Sequence, residues 1–177
     1  LLDLATATTP GLSDLAATLV HEPQPGLTPA RLAGIRAARG DVLVFVDDDN
    51  ILDPAYLATA ARHFTASPSL GAAGGPVVPE WESPPPAWLA EFQGLLALRT
   101  RGSVPEIAAG RAGAPWPEFA PVGAGLVVRR PHALAYAEAV AGDQRRHTLD
   151  RSGASLASGG DNDLVFTVLH GGGDVAY

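Results

Sequence analysis

The sequence predicts an α/β fold in which helices cover both faces of a sheet. The clearest sign is the run from Val42 to Val46, five apolar residues without alternation, which is typical of a parallel strand buried on both faces. Helical segments with start and stop signals alternate with such strands along the chain. At 177 residues and 46% apolar content, the chain is long enough for one domain with a substantial core.

The first predicted elements are two helices, the strand and a third helix, at 11–20, 28–39, 42–46 and 54–64. Residues 11–20 are only weakly amphipathic. The second helix has Thr28 as N-cap with Pro29 at its first position, and Gly40 closes it. Asp53 and Pro54 form the same kind of start before the alanine-rich third helix.

The later predicted elements are strands at 70–78, 126–128 and 174–177 and helices at 88–99, 131–140 and 164–170. The triple proline 84–86 separates the second strand from its following helix, and Pro131 opens another. Glycines 171–173 end the last helix. Residues 102–121 are rich in Gly, Pro and Ala, so we expect a long surface segment, and 141–153 are expected to be polar and flexible.

Composition narrows the classes of function. The net charge of −7 and pI near 5.0 argue against a nucleic-acid partner, because neutralising phosphates needs clustered positive charge. Without cysteine there is neither a disulfide framework nor a thiolate metal site. No apolar run approaches the ~20 residues that span a bilayer. Because the chain also lacks methionine, we expect it to be part of a longer reading frame.

Three adjacent carboxylates, Asp47, Asp48 and Asp49, follow the predicted strand directly. Their mutual repulsion favours a bound cation, and hard oxygen ligands select Mg²⁺ or Mn²⁺. The alternative is a solvated acidic turn that caps the next helix. The aspartates alone leave both interpretations open.

Asp161 also has two interpretations, because it lies at the start of a predicted helix. It either caps that helix, whose N-terminus stabilises a carboxylate, or acts as a general base. The glycines at 159 and 160 would let a substrate approach closely, which favours the second role.

Other familiar motifs are excluded. Gly123-x-Gly125 lacks the third glycine of a dinucleotide site and precedes a strand instead of following one. Residues 153–157 resemble a serine-hydrolase elbow but end in alanine, with no strand before them. The five histidines are scattered without zinc-site spacing.

Taken together, several short motifs resemble bacterial family-2 glycosyltransferases with the GT-A fold, in order and in approximate spacing. The match runs from about residue 20 to the end. The motifs are Glu22-Pro23-Gln24-Pro25-Gly26-Leu27-Thr28-x-Ala30-Arg31, Gly40-Asp41 with the strand and aspartates 42–50, Gly74-Gly75, Gly123-Ala124-Gly125 and Ser158-Gly159-Gly160-Asp161-Asn162-Asp163-Leu164.

That resemblance implies a three-layer α/β/α GT-A fold with a mostly parallel mixed sheet, incomplete here. Residues 1–177 would be a single partial catalytic domain, with the DxD element at 47–49 and the acceptor and base region at 123–163. The family's first apolar strand and its Thr-Tyr-Asn-type loop have no match, and the C-terminal region that completes the acceptor side lies beyond the chain.

The resemblance also assigns roles to residues. Asp49, together with Asp47, would hold a Mn²⁺ or Mg²⁺ ion on the diphosphate of a nucleotide sugar. Asp47 would also lie against the nucleoside, and Asp48 would contact sugar or ribose. Arg31 is assigned to donor binding.

On the acceptor side, Gly123, Ala124 and Gly125 would form a loop beside donor sugar and acceptor. Asp161 would be the base. The family's usual Glu is Gly160 here, so the resemblance implies that one polar contact near the acceptor is lost.

The expected function is therefore inverting transfer of a sugar from a nucleotide-diphosphate donor to a hydroxyl of a glycan or lipid-linked acceptor, in cell-surface polysaccharide synthesis. Such an enzyme would work in the cytoplasm, at the inner face of the membrane, with peripheral attachment through regions outside this chain. Trp81, Trp88 and Trp116 are candidates to stack on the acceptor, with core packing as the alternative. Two other functions stay open: a non-catalytic carbohydrate- or nucleotide-binding remnant, and a metal-dependent nucleotidyltransferase.

Overall fold

A computed structural model describes residues 18–102, 104–152 and 157–177, with the backbone alone at 93–95. The described chain is an α/β fold in which helices pack on both faces of a five-stranded sheet. In chain order the elements are α1 (Leu27–Ala37), β1 (Val42–Val44), α2 (Tyr56–Ala66), β2 (Leu70–Ala73), a first 3₁₀ helix (Ala87–Leu95), β3 (Ile107–Ala108), β4 (Val127–Arg129), α3 (Arg130–Gly142), a second 3₁₀ helix (Gln144–Thr148), α4 (Gly160–His170) and β5 (Asp174–Ala176).

The strand order is β1-β4-β2-β5-β3. β4 runs antiparallel to both of its neighbours, β2 and β5 are parallel, and β3 is antiparallel to β5. The predicted mixed sheet is confirmed, but its expected parallel majority is wrong for the described strands. The reason is the direction of β4, which lies between β1 and β2 and makes both of those pairings antiparallel.

Side chains of the strands alternate between two apolar layers, which confirms the three-layer α/β/α arrangement. On one face, Leu43, Ala72, Val128 and Val175 pack with buried residues of α1, α3 and α4. On the other face, the strand residues pack around Phe64 of α2. Successive strand residues point to opposite faces, so β1, β2, β4 and β5 contribute to both layers.

β1 is shorter and more exposed than the sequence predicts. It spans 42–44 instead of 42–46, only Leu43 is buried, and Val46 is 46% exposed. Among the described strands β1 pairs with β4 alone, and α2 covers its outer face only in part. A groove of about 420 Å³ remains between β1 and α2, so the expected strand buried on both faces is wrong here.

The helix starts also differ from the predicted caps. α1 begins at Leu27 with Gly26 as its N-cap. Thr28 is buried instead, and its hydroxyl donates to Asp150 at 3.1 Å. Before α2, Asp53 Oδ1 accepts a hydrogen bond from the backbone N–H of Ala55 at 2.8 Å, so Asp53 begins an Asx turn two residues before the N-cap, Ala55.

The remaining elements lie near the places that the sequence predicts, but several differ from the prediction in length or in type. The strand predicted at 70–78 ends at Ala73, the helix predicted at 88–99 is a 3₁₀ helix, and the segment 102–121 contains β3. The helix predicted at 11–20 lies almost wholly outside the described residues. No helix in the described ranges combines the length and apolarity needed to cross a membrane.

Two adjacent arginines donate hydrogen bonds to backbone carbonyls at the ends of two helices. Arg129 donates to the carbonyls of Phe64 and Ser67 at 2.8 and 3.1 Å, and to that of Leu70 at 3.0 Å. Arg130 Nε donates to the carbonyl of Ala38 at 3.1 Å. Carbonyls at helix ends lack partners within the helix, so these arginines satisfy groups that would otherwise need water.

Candidate functional site

A tight turn precedes β4 and lies at the centre of the candidate site. The carbonyl of Gly123 accepts a hydrogen bond from the N–H of Leu126 at 3.2 Å, and Gly125 has φ of +77°. This left-handed conformation is one that glycine adopts without strain. The carbonyl of Leu126 accepts from the N–H of Phe45 at 2.8 Å, which joins the turn to the end of β1.

Tyr56, the first residue of α2, fixes the same turn from the other side. Its hydroxyl donates to the carbonyl of Gly125. Burial raises the pKa of the Tyr56 phenol, so the hydroxyl keeps the proton that this hydrogen bond requires. A Cβ atom added to Gly125 would lie 3.1 Å from the Tyr56 hydroxyl oxygen, so the close approach also favours glycine.

The three aspartates follow β1 as an exposed turn. The N–H of Asn50 donates to the carbonyl of Asp47 at 3.1 Å, and the Asn50 amide nitrogen donates to Asp49 Oδ1 at 3.0 Å. The bond to the carboxylate sets the orientation of the Asn50 amide. Its oxygen is buried without a hydrogen-bond partner in the described structure.

The donor chemistry of this turn fits a hard divalent ion. Asp47 and Asp49 offer exposed carboxylates, and the partnerless Asn50 oxygen adds a neutral ligand of the same kind. Within the described ranges no cluster of three or more His, Cys, Asp or Glu side chains is gathered around one point. Any ion here would therefore need oxygen ligands from a substrate as well, which is usual for Mg²⁺.

Asp161 lies in the first turn of α4 and is hydrogen-bonded to the turn before β4. Its Oδ2 accepts from the N–H of Gly123 at 2.9 Å, and its Oδ1 accepts from the N–H of Asn162 at 2.8 Å. The side chain is partly exposed. The structure thus joins the predicted base to Gly123, and through Leu126 to the end of β1 where the aspartates begin.

Asp150 is a buried carboxylate that the sequence interpretation missed. It is 3% exposed and accepts three hydrogen bonds, from Thr28 Oγ1 at 3.1 Å, from Arg31 Nη1 at 2.6 Å and from the N–H of Gly160 at 2.9 Å. No local motif marks it, because two of its partners lie more than a hundred residues earlier in the chain.

Gly160 has no room for a side chain. A Cβ atom there would lie 2.0 Å from Asp150 Oδ2 and 2.6 Å from Arg31 Nη1. The space beside this backbone position is therefore filled by a carboxylate from elsewhere in the chain. Asp150 thus brings a buried carboxylate to the backbone position before Asp161, while the expected loss of a polar contact near the acceptor stays a prediction.

Arg31 faces Asp150, and its side chain is 9% exposed. Burial disfavours its charge, but the Asp150 carboxylate offsets this, and the pKa of Arg31 is raised. Nη1 of the guanidinium is thus held in a buried ion pair with Asp150. Its role in donor binding stays a prediction.

An open groove of about 330 Å³ borders the first two turns of α4. Trp116 and Phe166 stack there with ring centroids 6.1 Å apart, and each is about two-fifths exposed. Leu149 extends the apolar surface, while Asn162 and Asp163, which follow Asp161 in the chain, give the groove a polar side. Exposed aromatic residues beside polar groups are typical of a small-molecule binding surface.

Comparisons with known proteins concern the family of the chain. A family model described as "Glycosyl transferase family 2" matches residues 4–130. A protein of Haloferax volcanii (strain DS2) named "Glucosyl-dolichyl phosphate glucuronosyltransferase" is 32% identical over 78 residues, which are 44% of this chain and 25% of that protein. The matched part therefore spans about a quarter of the relative's length. No solved structure matches the chain significantly.

The contact between Tyr56 and the turn can be tested with two glycines of similar backbone geometry. Gly125 and Gly113 have φ of +77° and +70°, but a Cβ atom at Gly113 would meet nothing within 4 Å. We expect Gly113→Ala to cost about 1–2 kcal/mol for the left-handed backbone alone. Gly125→Ala should cost clearly more in urea unfolding, because it also disturbs Tyr56. Equal losses in the two variants would contradict a role for this contact.

Proposed function

The chain belongs to glycosyltransferase family 2, and from that premise we propose that it transfers a sugar, with inversion, from a nucleotide-diphosphate donor to a hydroxyl of a lipid-linked sugar. The observation that carries the proposal is the turn at 123–125, which is hydrogen-bonded to Asp161 on one side and, through Leu126, to the end of β1 on the other. This turn would bring the donor-binding aspartates and the base that deprotonates the acceptor to the same region of the protein.

The donor side is formed by the turn after β1. Asp49 and Asp47 would hold a divalent cation, which when bound neutralises charge on the diphosphate leaving group. The partnerless Asn50 oxygen supports this assignment, since a buried acceptor without a partner is costly unless a ligand or water satisfies it. Asp48, exposed beside them, is available to ribose or sugar hydroxyls.

The acceptor side is formed by α4 and the 123–125 turn. Asp161 would take the proton of the acceptor hydroxyl while that oxygen attacks the anomeric carbon. The bond from this carbon to the diphosphate oxygen breaks, and the nucleoside diphosphate leaves with the electron pair. Inversion needs no covalent intermediate, so a single base on the acceptor side suffices.

The groove beside Asp161 is the proposed place of the acceptor sugar. The apolar face of a sugar ring can lie on Trp116 or Phe166, and Asn162 offers an amide to its hydroxyls. The name of the Haloferax protein includes a glucosylated dolichyl phosphate. We therefore propose a sugar on a lipid phosphate as acceptor, and a site of action at the membrane surface that displays it.

A non-catalytic binding protein is the second candidate. The observation in its favour is that both carboxylate oxygens of Asp161 already accept backbone hydrogen bonds, from Gly123 and Asn162. A carboxylate held in this way fits a structural role at the start of the helix as well as it fits a catalytic base. Donor binding alone would not distinguish the two functions, whereas turnover would.

Asp161→Asn tests the proposed base. The amide keeps the shape of the side chain but has no carboxylate to accept a proton, so transfer from a nucleotide sugar to a lipid-linked sugar should fall about 10²- to 10⁴-fold. Donor affinity in calorimetric titration should change little. Asp143→Asn is the matched control, because Asp143 also accepts from a backbone N–H at the start of a helix. Unchanged turnover in Asp161→Asn would show that Asp161 is not the base, whereas donor binding without any turnover in the wild type would favour the binding protein.

Asp49→Ala tests the donor side. Titration of UDP and GDP in the presence of Mn²⁺ should show binding that depends on the metal and weakens about tenfold or more in the variant. Asp41→Ala makes the same change of charge at the opposite end of β1, on an exposed residue, and should bind as the wild type does. A similar loss in both variants would mean that only net charge matters.

Trp116→Ala tests the acceptor groove. Loss of one aromatic surface should cost about 1–2 kcal/mol, so KM for the lipid-linked sugar should rise roughly 5- to 30-fold. The KM of the donor should stay constant. Trp88→Ala is the control, since Trp88 is 62% exposed on the first 3₁₀ helix and lines no groove with α4. An unchanged acceptor KM in Trp116→Ala would remove the acceptor from this groove.

A further inference from the structure

We propose that Asp150 is a positioning residue for the transfer reaction, and that its buried carboxylate fixes the first turn of α4 so that Asp161 stays against Gly123. This inference rests on the proposed function of Asp161 as base. It gives a role to a carboxylate that contacts neither donor nor acceptor in that proposal, and it explains why position 160 carries glycine.

The contacts of Asp150 join two distant helices. Oδ2 accepts from Thr28 and Arg31 of α1, while Oδ1 accepts from the N–H of Gly160, the first residue of α4. The N-cap residue of α4, Gly159, has no side chain that could cap the helix. Asp150 instead accepts from a free N–H group of the first turn, that of Gly160, from ten residues away, and it ties this turn to α1.

The backbone around Asp150 is held independently of its side chain. The carbonyl of Leu149 accepts from the N–H of Gly159 at 2.8 Å, and the carbonyl of Arg151 accepts from the N–H of Leu27 at 3.2 Å. These two bonds keep segment 149–151 between the starts of α1 and α4. A variant at Asp150 should therefore keep segment 149–151 in place. Its melting temperature should fall because Arg31 loses its buried partner, and the first turn of α4 should lose its orientation.

That orientation determines where Asp161 lies. Asp161 follows Gly160 directly, and its Oδ2 reaches Gly123 at 2.9 Å across the site. A small rotation of the first turn of α4 would lengthen this bond and move the carboxylate away from the acceptor hydroxyl. Misplacement of a catalytic group by about 1 Å can lower a rate on the order of 100-fold.

The geometry at Gly160 allows the carboxylate to be moved. A Cβ atom there would lie 2.4 Å from Asp150 Cγ and 2.6 Å from Arg31 Nη1, so Asp150→Ala frees part of the space for an aspartate at 160, whose carboxylate would lie beside Arg31 once the end of that side chain shifts. The double variant Asp150→Ala with Gly160→Asp thus keeps a negative charge beside Arg31. The single variant Gly160→Asp would put two carboxylates into one space, so Gly160 is replaced only together with Asp150.

The experiment compares wild type, Asp150→Ala, the double variant and Thr28→Val. Thr28→Val removes a hydrogen bond to the same carboxylate but leaves the bond to Gly160 intact. We expect kcat to fall about 10- to 100-fold in Asp150→Ala with donor KM unchanged, to recover at least partly in the double variant, and to stay near wild type in Thr28→Val. Melting temperatures of all four are measured alongside.

Amide hydrogen exchange gives a second readout that needs no turnover. In Asp150→Ala, exchange at Gly123 and at the first turn of α4 should become faster, and in Thr28→Val it should not. If kcat follows the melting temperature through the whole set, or Gly123 stays protected in Asp150→Ala, the positioning role is wrong. If the wild type transfers no sugar, the proposed function fails, and exchange at Gly123 still decides the role of Asp150.

Discussion

The arrangement of the candidate site depends on the hydrogen bonds that the buried carboxylate of Asp150 accepts. A buried charge is tolerated only when it is paired and hydrogen-bonded, and Asp150 meets this condition with Arg31, Thr28 and the N–H of Gly160. Removing one partner of such a group leaves the other charge buried, which is far more costly than never having had the pair. The contacts consequently hold the starts of α1 and α4 in one relative position.

The direction of β4 explains how the two chemical halves meet. β4 is antiparallel to β1, with Val44 opposite Val127, so the start of β4 lies beside the end of β1. The aspartates follow β1, and the glycine turn precedes β4, so the antiparallel pairing brings them to the same end of the sheet. A parallel pairing would have sent the turn to the opposite end. The antiparallel direction of β4, in a sheet that the sequence predicts to be mostly parallel, is thus what brings these two turns together.

The sequence could predict the family, the layer arrangement and the position of Asp161 at a helix start, because these depend on local patterns read in order. The family match over residues 4–130 and the alternating strand contacts confirm the first two. The role of Asp150 could not be predicted from the sequence. Two of its partners come from α1, and the sequence of its own segment, 141–153, predicts a polar and flexible stretch. The predicted burial of Val44 and Val46 was wrong because a hydrophobic run does not show which strands flank it.

Donor binding at the turn 47–50, beside the turn 123–125, is tested most directly by backbone NMR. Addition of UDP with Mg²⁺ should shift the amide signals of Asp49, Asn50 and Gly123 together, because the turn is hydrogen-bonded to the end of β1. Shifts confined to the 420 Å³ groove between β1 and α2, at Leu57 and Thr65, would contradict the account. They would place the donor on the open side of β1, away from Asp161.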